Sequence, residues 1–176
     1  MYIEILVLSH LPDNPTHGYE LRHRVEGSTG IRLHNNALYP ALRRFEEAGA
    51  VVKEAVQQQG HSPRRVYEVT DLGREMLDDL LVELPVDLAG DETEFLTRVG
   101  QFGFLTETEQ LSVLAGREEA LGRKVKYLTA LLDRADVPVW GRRVVEELLR
   151  RVDTESAWLE HLRMEISQAS AGGVAP

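Results

Sequence analysis

The 176-residue chain contains no cysteine, which excludes a disulfide scaffold and any thiolate metal site and fits a reducing cytoplasm. It has no apolar run of about 18 residues, so no segment reads as a membrane span. The first ten residues, MYIEILVLSH, are largely apolar but carry Glu4, with no basic leader and no small-residue cleavage site, so a signal peptide is not expected. Catalytic signatures are also missing. The six histidines are scattered, there is no HExxH and no GxxxxGK[ST], and GSTG at 27–30 is too short for a phosphate loop. Ser62 stands beside His61, but two neighbours without a third partner are not a triad. The expectation is a non-enzyme that needs no cofactor and no metal.

What is present is ordinary globular composition, 43% hydrophobic and 28% charged residues, which argues against wholesale disorder. A chain of this length forms one domain or two small ones and buries roughly 70% of its unfolded surface. Net charge is −9, yet between Thr16 and Arg74 nine Lys/Arg face seven Asp/Glu, a balance of +2 that leaves −11 elsewhere. A phosphate backbone feels the field within a Debye length of about 8–10 Å, so the acidic remainder does not exclude nucleic acid as a partner.

In chain order, a first helix is expected over about residues 2–10, with Ile3, Leu6, Val7 and Leu11 on one face. PDNPT breaks it, and Thr16 is placed to cap a second helix whose apolar side includes Tyr19, Leu21 and Val25. GSTG at 27–30 ends that helix and forms a turn. Asn35 and Asn36 are candidate caps of a third helix that stops at Gly49, with Pro40 near its first turn. AVVKEAVQ and RRVYEVT are rich in β-branched residues and flank the turn QQQGHSP. Thr70 then caps a helix that ends before Pro85. Helix, turn, helix and a two-stranded wing in this order read as a winged helix-turn-helix. The fold class is mainly α with a small β wing, with a winged domain over 1–84, a helical domain over 92–170 and a flexible tail over 171–176.

A recognition helix lies in the major groove with its N-terminal residues near base edges. Asn35 and Asn36 are placed for that role unless they serve only as caps. Arg43 and Arg44 lie further along the helix and suit phosphate, or pair on the surface with Glu46 and Glu47. Arg64 and Arg65 are placed to anchor the wing to the backbone or minor groove.

These residues carry a resemblance. HGYEL at 17–21, YPALRRFEEAGAV at 39–51, PRRVYEVT at 63–70 and DLGREML at 71–77 resemble the signatures of the PadR family of bacterial transcriptional regulators, over almost all of the first 80 residues. The resemblance implies double-stranded DNA as partner. It also implies that Tyr39 touches the DNA backbone or supports the recognition helix, the other reading being a core aromatic against the second helix. Family members often carry Gly-Thr just before the Tyr-Pro, where this chain has NNAL at 35–38. The operator sequence therefore cannot be carried over.

From Thr106, which opens a capping box with Glu109, Leu111, Leu114, Leu121, Val125, Leu128, Leu132 and Ala135 recur at heptad-like steps, with a gap at Glu118. After Pro138 the pattern repeats with Val145, Leu148, Val152, Leu159, Leu162 and Ile166, and a gap at Glu155. Two such helices make an antiparallel hairpin, and a seam on each arm predicts a homodimer. The alternative is a seam consumed within one chain, with a helix over 93–105 covering the rest. FLTRVGQFGFLTETEQ at 95–110 and SAWLEHLRMEI at 156–166 resemble the virulence-activator-like C-terminal domain of longer PadR proteins, commonly repressors released by small, often aromatic molecules. That implies an effector, for which Phe102, Phe104, Tyr127, Trp140 and Trp158 are candidate walls and His161 or Arg163 an anion partner. Trp140 and Trp158 are 18 residues apart, about 27 Å along a helix, so they cannot sandwich one ligand within a chain. Glu118 and Glu155 are read as register or solvent positions. The resulting expectation is a dimeric, ligand-released repressor on a palindromic operator. The rival from another class is an adaptor that uses the winged fold to bind protein.

Overall fold

The computed structural model describes residues 1–11, 15–56 and 64–171, apart from the side chains of Val56, Arg64, Ser170 and Ala171. The wing turn at 57–63, the PDN of the first helix break, the Arg64 side chain and nearly all of the expected tail lie outside the described residues. The chain divides into two units, residues 1–83 with 96–105, and residues 84–95 with the chain from Thr106 onward.

In the first unit, α1 (Tyr2–His10) buries four consecutive side chains, Ile5 to Leu8. One apolar face was expected. The helix instead packs against three others, α2 (Gly18–Thr29), α3 (Asn35–Glu47) and α4 (Asp71–Val82), so it is the centre of the core and its amphipathicity vanishes. Each fully buried aliphatic side chain there contributes about 1.5–3 kcal/mol.

The helix caps partly depart from expectation. Thr16 does not cap α2; with His17 it forms a short strand, β1 (Thr16–His17), and His17 is the cap. Glu20 closes the box, accepting from the Thr16 hydroxyl at 3.0 Å and the His17 N–H at 3.3 Å. The second helix runs through most of the expected turn and stops only at Gly30, whose φ of 69° gives a left-handed cap. Asn35 and Asn36 are the first helical residues of α3 and His34 is its cap, so the pair are not caps. Pro40 falls in the second turn rather than the first and has no N–H to give the Asn36 carbonyl.

The wing is three-stranded, in the antiparallel order β1, β3, β2. β2 (Val51–Val56) and β3 (Arg64–Val69) run from Val51 opposite Val69 to Val56 opposite Arg64, and β1 sets Thr16 opposite Tyr67. The Thr70 hydroxyl caps α4 as expected, accepting from the Gly73 N–H at 3.1 Å. A Cβ on Gly73 would stand 2.2 Å from the Ala50 carbonyl oxygen, so only glycine lets α4 approach the sheet this closely. The helix expected over 93–105 is broken instead, into α5 (Glu92–Val99) and a 3-10 turn at Phe102–Phe104, with Gly100 and Gly103 in the interrupted stretch.

The second unit is an antiparallel hairpin of α6 (Glu107–Leu132) and α7 (Val139–Ala171), whose turn is closed by Arg142 donating to the Leu132 carbonyl at 2.8 Å. The Thr106–Glu109 capping box forms. Ala135 falls beyond the helix end, so the seam of α6 is one position shorter than expected. Val113, Leu114, Ala120, Leu121 and Leu128 are buried along one arm, and Val145, Val152 and Leu159 along the other.

The two gaps in the apolar pattern are ion pairs between the arms. Arg117, only 2% exposed, forks onto Glu155 at 2.7 and 3.1 Å and donates to the Ala89 carbonyl at 2.9 Å. Its guanidinium lies 5.3 Å from the Phe95 ring centre. Arg163 pairs with Glu118 at 2.7 Å. Glu118 and Glu155 therefore fix how the arms meet, and Arg117, which an apolar count passes over, is a core residue.

Candidate nucleic-acid interface

The outer face of α3 follows from its inner one. Leu38, Ala41, Leu42 and Phe45 are buried at three- and four-residue steps, which turns Asn36, Pro40, Arg43 and Glu47 outward. The buried Leu33 anchors the turn from α2. Asn35 and Asn36 are both exposed at the start of the helix, beside a shallow groove of about 730 Å³ lined by Arg22, Glu26, Arg32, Leu33, His34 and the two asparagines.

The two asparagines are held differently. Asn35 Oδ1 accepts from Arg22 Nη1 at 3.1 Å, and the Arg22 guanidinium stacks 5.2 Å over the Tyr19 ring. That ring meets His23 edge-on at 4.3 Å. Tyr19 is thus 61% exposed and braces a surface cluster, not the apolar side of α2 as expected. Arg22 Nε is buried without a hydrogen-bond partner.

The expected surface pairing of Arg43 and Arg44 with Glu46 and Glu47 does not form. Arg44 hydrogen-bonds and ion-pairs with Glu4 of α1, and Glu46 takes Lys53 at 2.6 Å. Arg43 and Arg32 are exposed and have no carboxylate partner among the described residues.

Arg65 is exposed on β3, and its carbonyl lies 3.1 Å from His17 Nδ1, which ties the wing to the start of α2. Tyr39, 43% exposed, is no core aromatic; its ring lies against Gly18, where a Cβ would come within 3.0 Å of Cε1. Tyr39 lines a second concavity of about 700 Å³ with His17, Gly18, Tyr19, Glu20, Arg65 and Tyr67. Burial raises the Tyr67 phenol above its usual range. Sequence reading passed over Arg22, Arg32 and His17. Arg32 was legible as a lone cation between two helices, whereas Arg22 matters through a contact that spans the turn.

In the hairpin unit, Leu121, Leu128, Val145, Val152 and Leu159 are buried within the single chain, and Val125, Leu148, Leu162 and Ile166 are half-buried. Trp158 packs edge-on against Phe95, ring centres 6.1 Å apart. Tyr127 and Trp140 are 65% and 81% exposed. His161 is exposed 3.2 Å from Glu165, Arg163 is taken by Glu118, and Phe102 is half-buried in the 3-10 turn of the first unit.

The model of the transcriptional regulator PadR-like family matches residues 7–79. The transcriptional regulator Rv3488 of Mycobacterium tuberculosis is 33% identical over 94 residues, covering 52% of this chain and 86% of that protein. Among solved structures, Bacillus subtilis PadR in complex with operator DNA is 20% identical, with a TM-score of 0.45 and 94% of this chain and 99% of that one covered. A PadR family regulator from Clostridium difficile is 28% identical, with a TM-score of 0.41 and 45% and 82% covered.

Proposed function

The chain belongs to the PadR-like family of transcriptional regulators, and from that premise we propose that it binds double-stranded DNA sequence-specifically as a homodimer and represses transcription until a small aromatic molecule releases it. The observation that carries the DNA reading is the start of α3. Two exposed amides, Asn35 and Asn36, project there between cations from α2, the turn and the helix itself: Arg22, Arg32 and Arg43. Amides at a recognition-helix N-terminus suit base edges, and the surrounding guanidiniums suit phosphate. Arg65 and Tyr39, which line one concavity, are assigned to the DNA backbone, as is Arg64 from its place in the sequence at the wing, and Arg44 would reach phosphate only by leaving Glu4.

Dimerisation is assigned to the hairpin. Val125, Leu148, Leu162 and Ile166 are placed to meet a second copy, supported from beneath by the buried Leu121, Leu128, Val145, Val152 and Leu159. Two wings related by a two-fold axis then read a palindrome with half-sites about 34 Å or a multiple apart. Of the aromatics, the exposed Tyr127 and Trp140 are available to an effector, whereas Trp158 is committed to Phe95; His161 stands about 31 Å along α7 from Trp140 and cannot serve the same ligand within one chain.

A salt series of binding to promoter and random duplexes tests the DNA reading. Affinity falls steeply as salt rises, through counterion release, and the specific site outcompetes random DNA by about 1000-fold. No preference over random duplex even at low salt refutes it and favours a protein-binding role for the winged fold.

A further inference from the structure

We propose that Arg22 is a specificity-determining residue that acts through Asn35, fixing which edge of the Asn35 amide faces the bases. This inference rests on the DNA-reading function proposed above. It concerns the one stretch, NNAL at 35–38, where the family pattern gives no guidance.

A guanidinium has five N–H donors and no acceptor. The Asn35 atom 3.1 Å from Arg22 Nη1 is therefore the amide oxygen, because the amide nitrogen would set donor against donor. With Oδ1 turned back toward α2, Nδ2 is the atom left for the groove, and Asn35 is a hydrogen-bond donor. Arg22 is braced for this task. The Tyr19 ring lies under its guanidinium, His23 holds that ring edge-on, and Arg22 Nε is sealed from water. The clamp is in place before DNA arrives, so orienting the amide costs little at binding.

Asn36, the next residue, is exposed and has no hydrogen-bond partner among the described side chains. Its amide is free to turn and can offer donor and acceptor together, as adenine requires at N7 and N6. The adjacent asparagines are thus unequal readers. Asn35 favours a base edge rich in acceptors, guanine N7 and O6 or thymine O4, and disfavours the N4 amine of cytosine. Asn36 suits adenine.

The test is selection of binding sites from a randomised duplex library by the full chain, comparing wild type with R22M and N35D. Wild type enriches guanine or thymine at one position of each half-site. R22M releases the amide and admits adenine there, reducing the preference by roughly three- to tenfold, the worth of one hydrogen bond. N35D keeps the Arg22 contact but replaces the donor with an acceptor, so it loses the preference or shifts it toward cytosine. N35D also decides the matter should R22M fail to fold. If R22M weakens all sites equally with an unchanged preference, Arg22 is only a phosphate contact and the inference is overturned; an unchanged preference in N35D overturns it too. A wild type that enriches no sequence refutes the DNA reading itself, an outcome distinct from either.

Discussion

Cutting the Arg117–Glu155 fork should cost more than any exposed pair in the molecule, and a double-mutant cycle measures how much. Arg117 makes three hydrogen bonds, two to Glu155 and one to the Ala89 carbonyl, with 3% of its side chain exposed against 22% for Glu155. Removing one partner of a buried pair costs about 3–5 kcal/mol, because the other charge is left without compensation. The two directions are not equal. In R117M the stranded carboxylate is still partly in water, so the cost belongs near the lower end, about 3 kcal/mol. In E155L the stranded charge is the more deeply buried guanidinium, and the cost is about 4–5 kcal/mol. R117M/E155L strands neither charge and buries apolar volume instead, so its cost falls below that of either single and the coupling exceeds about 3 kcal/mol. Urea unfolding followed on the hairpin tryptophans gives the cycle, and a Tm shift of roughly 4–8 °C per kcal/mol checks it for a unit of this size. Additive single effects, or singles within about 0.5 kcal/mol of wild type, would show that the fork does not hold the arms together.

Two further outcomes probe the winged unit. G73A drives a Cβ to 2.2 Å from the Ala50 carbonyl oxygen and 2.7 Å from Val69 Cγ2, so it should destabilise by about 3 kcal/mol or more; a thermal melt within a degree or two of wild type would refute that close approach. His10 lies between α1 and α2, with Nδ1 3.0 Å from the Leu6 carbonyl and Nε2 2.7 Å from the Ser28 hydroxyl. Burial, partly offset by the Leu6 carbonyl, holds its pKa below 6.5. The unfolded chain then binds the proton more readily, so the His10 contribution is intact above pH 6.5 and is lost as pH falls through its lowered folded value. Glu20 is lowered by the His17 N–H and the Thr16 hydroxyl, and Glu109 by the Thr106 hydroxyl and N–H; both lose their contribution only as pH falls below 4.5. Urea midpoints between pH 6.5 and about 5 should therefore decline less in H10Q than in wild type, and parallel declines would exclude His10.

Features set by a few neighbouring residues were readable in the sequence. The Thr70 cap, the Thr106–Glu109 box, the stop at Gly49 and the two hairpin arms all formed as expected. Features set across the fold were not. The strand at Thr16–His17 is too short for a period-two pattern and exists because Tyr67 and Val66 lie opposite it. The spacing in α1 marks one apolar face, but its three neighbours, on other parts of the chain, bury it on more sides than one. Arg117 was invisible to a count of apolar heptad positions, although Glu155, read as a gap, was its trace. Within the candidate interface, the exposure of Asn35 and Asn36 followed from their place before a buried stripe. The contact that holds one and not the other needed Arg22, thirteen residues away on another helix.

On the proposed reading, two copies of this chain together bind a two-fold symmetric operator. Footprinting upstream of its own gene, combined with sedimentation of the resulting complex, tests it most directly. Two chains per duplex are expected, on an inverted repeat whose half-sites are about one helical turn, or a whole number of turns, apart. A single chain bound to an asymmetric site, or protection without any repeat, would contradict it.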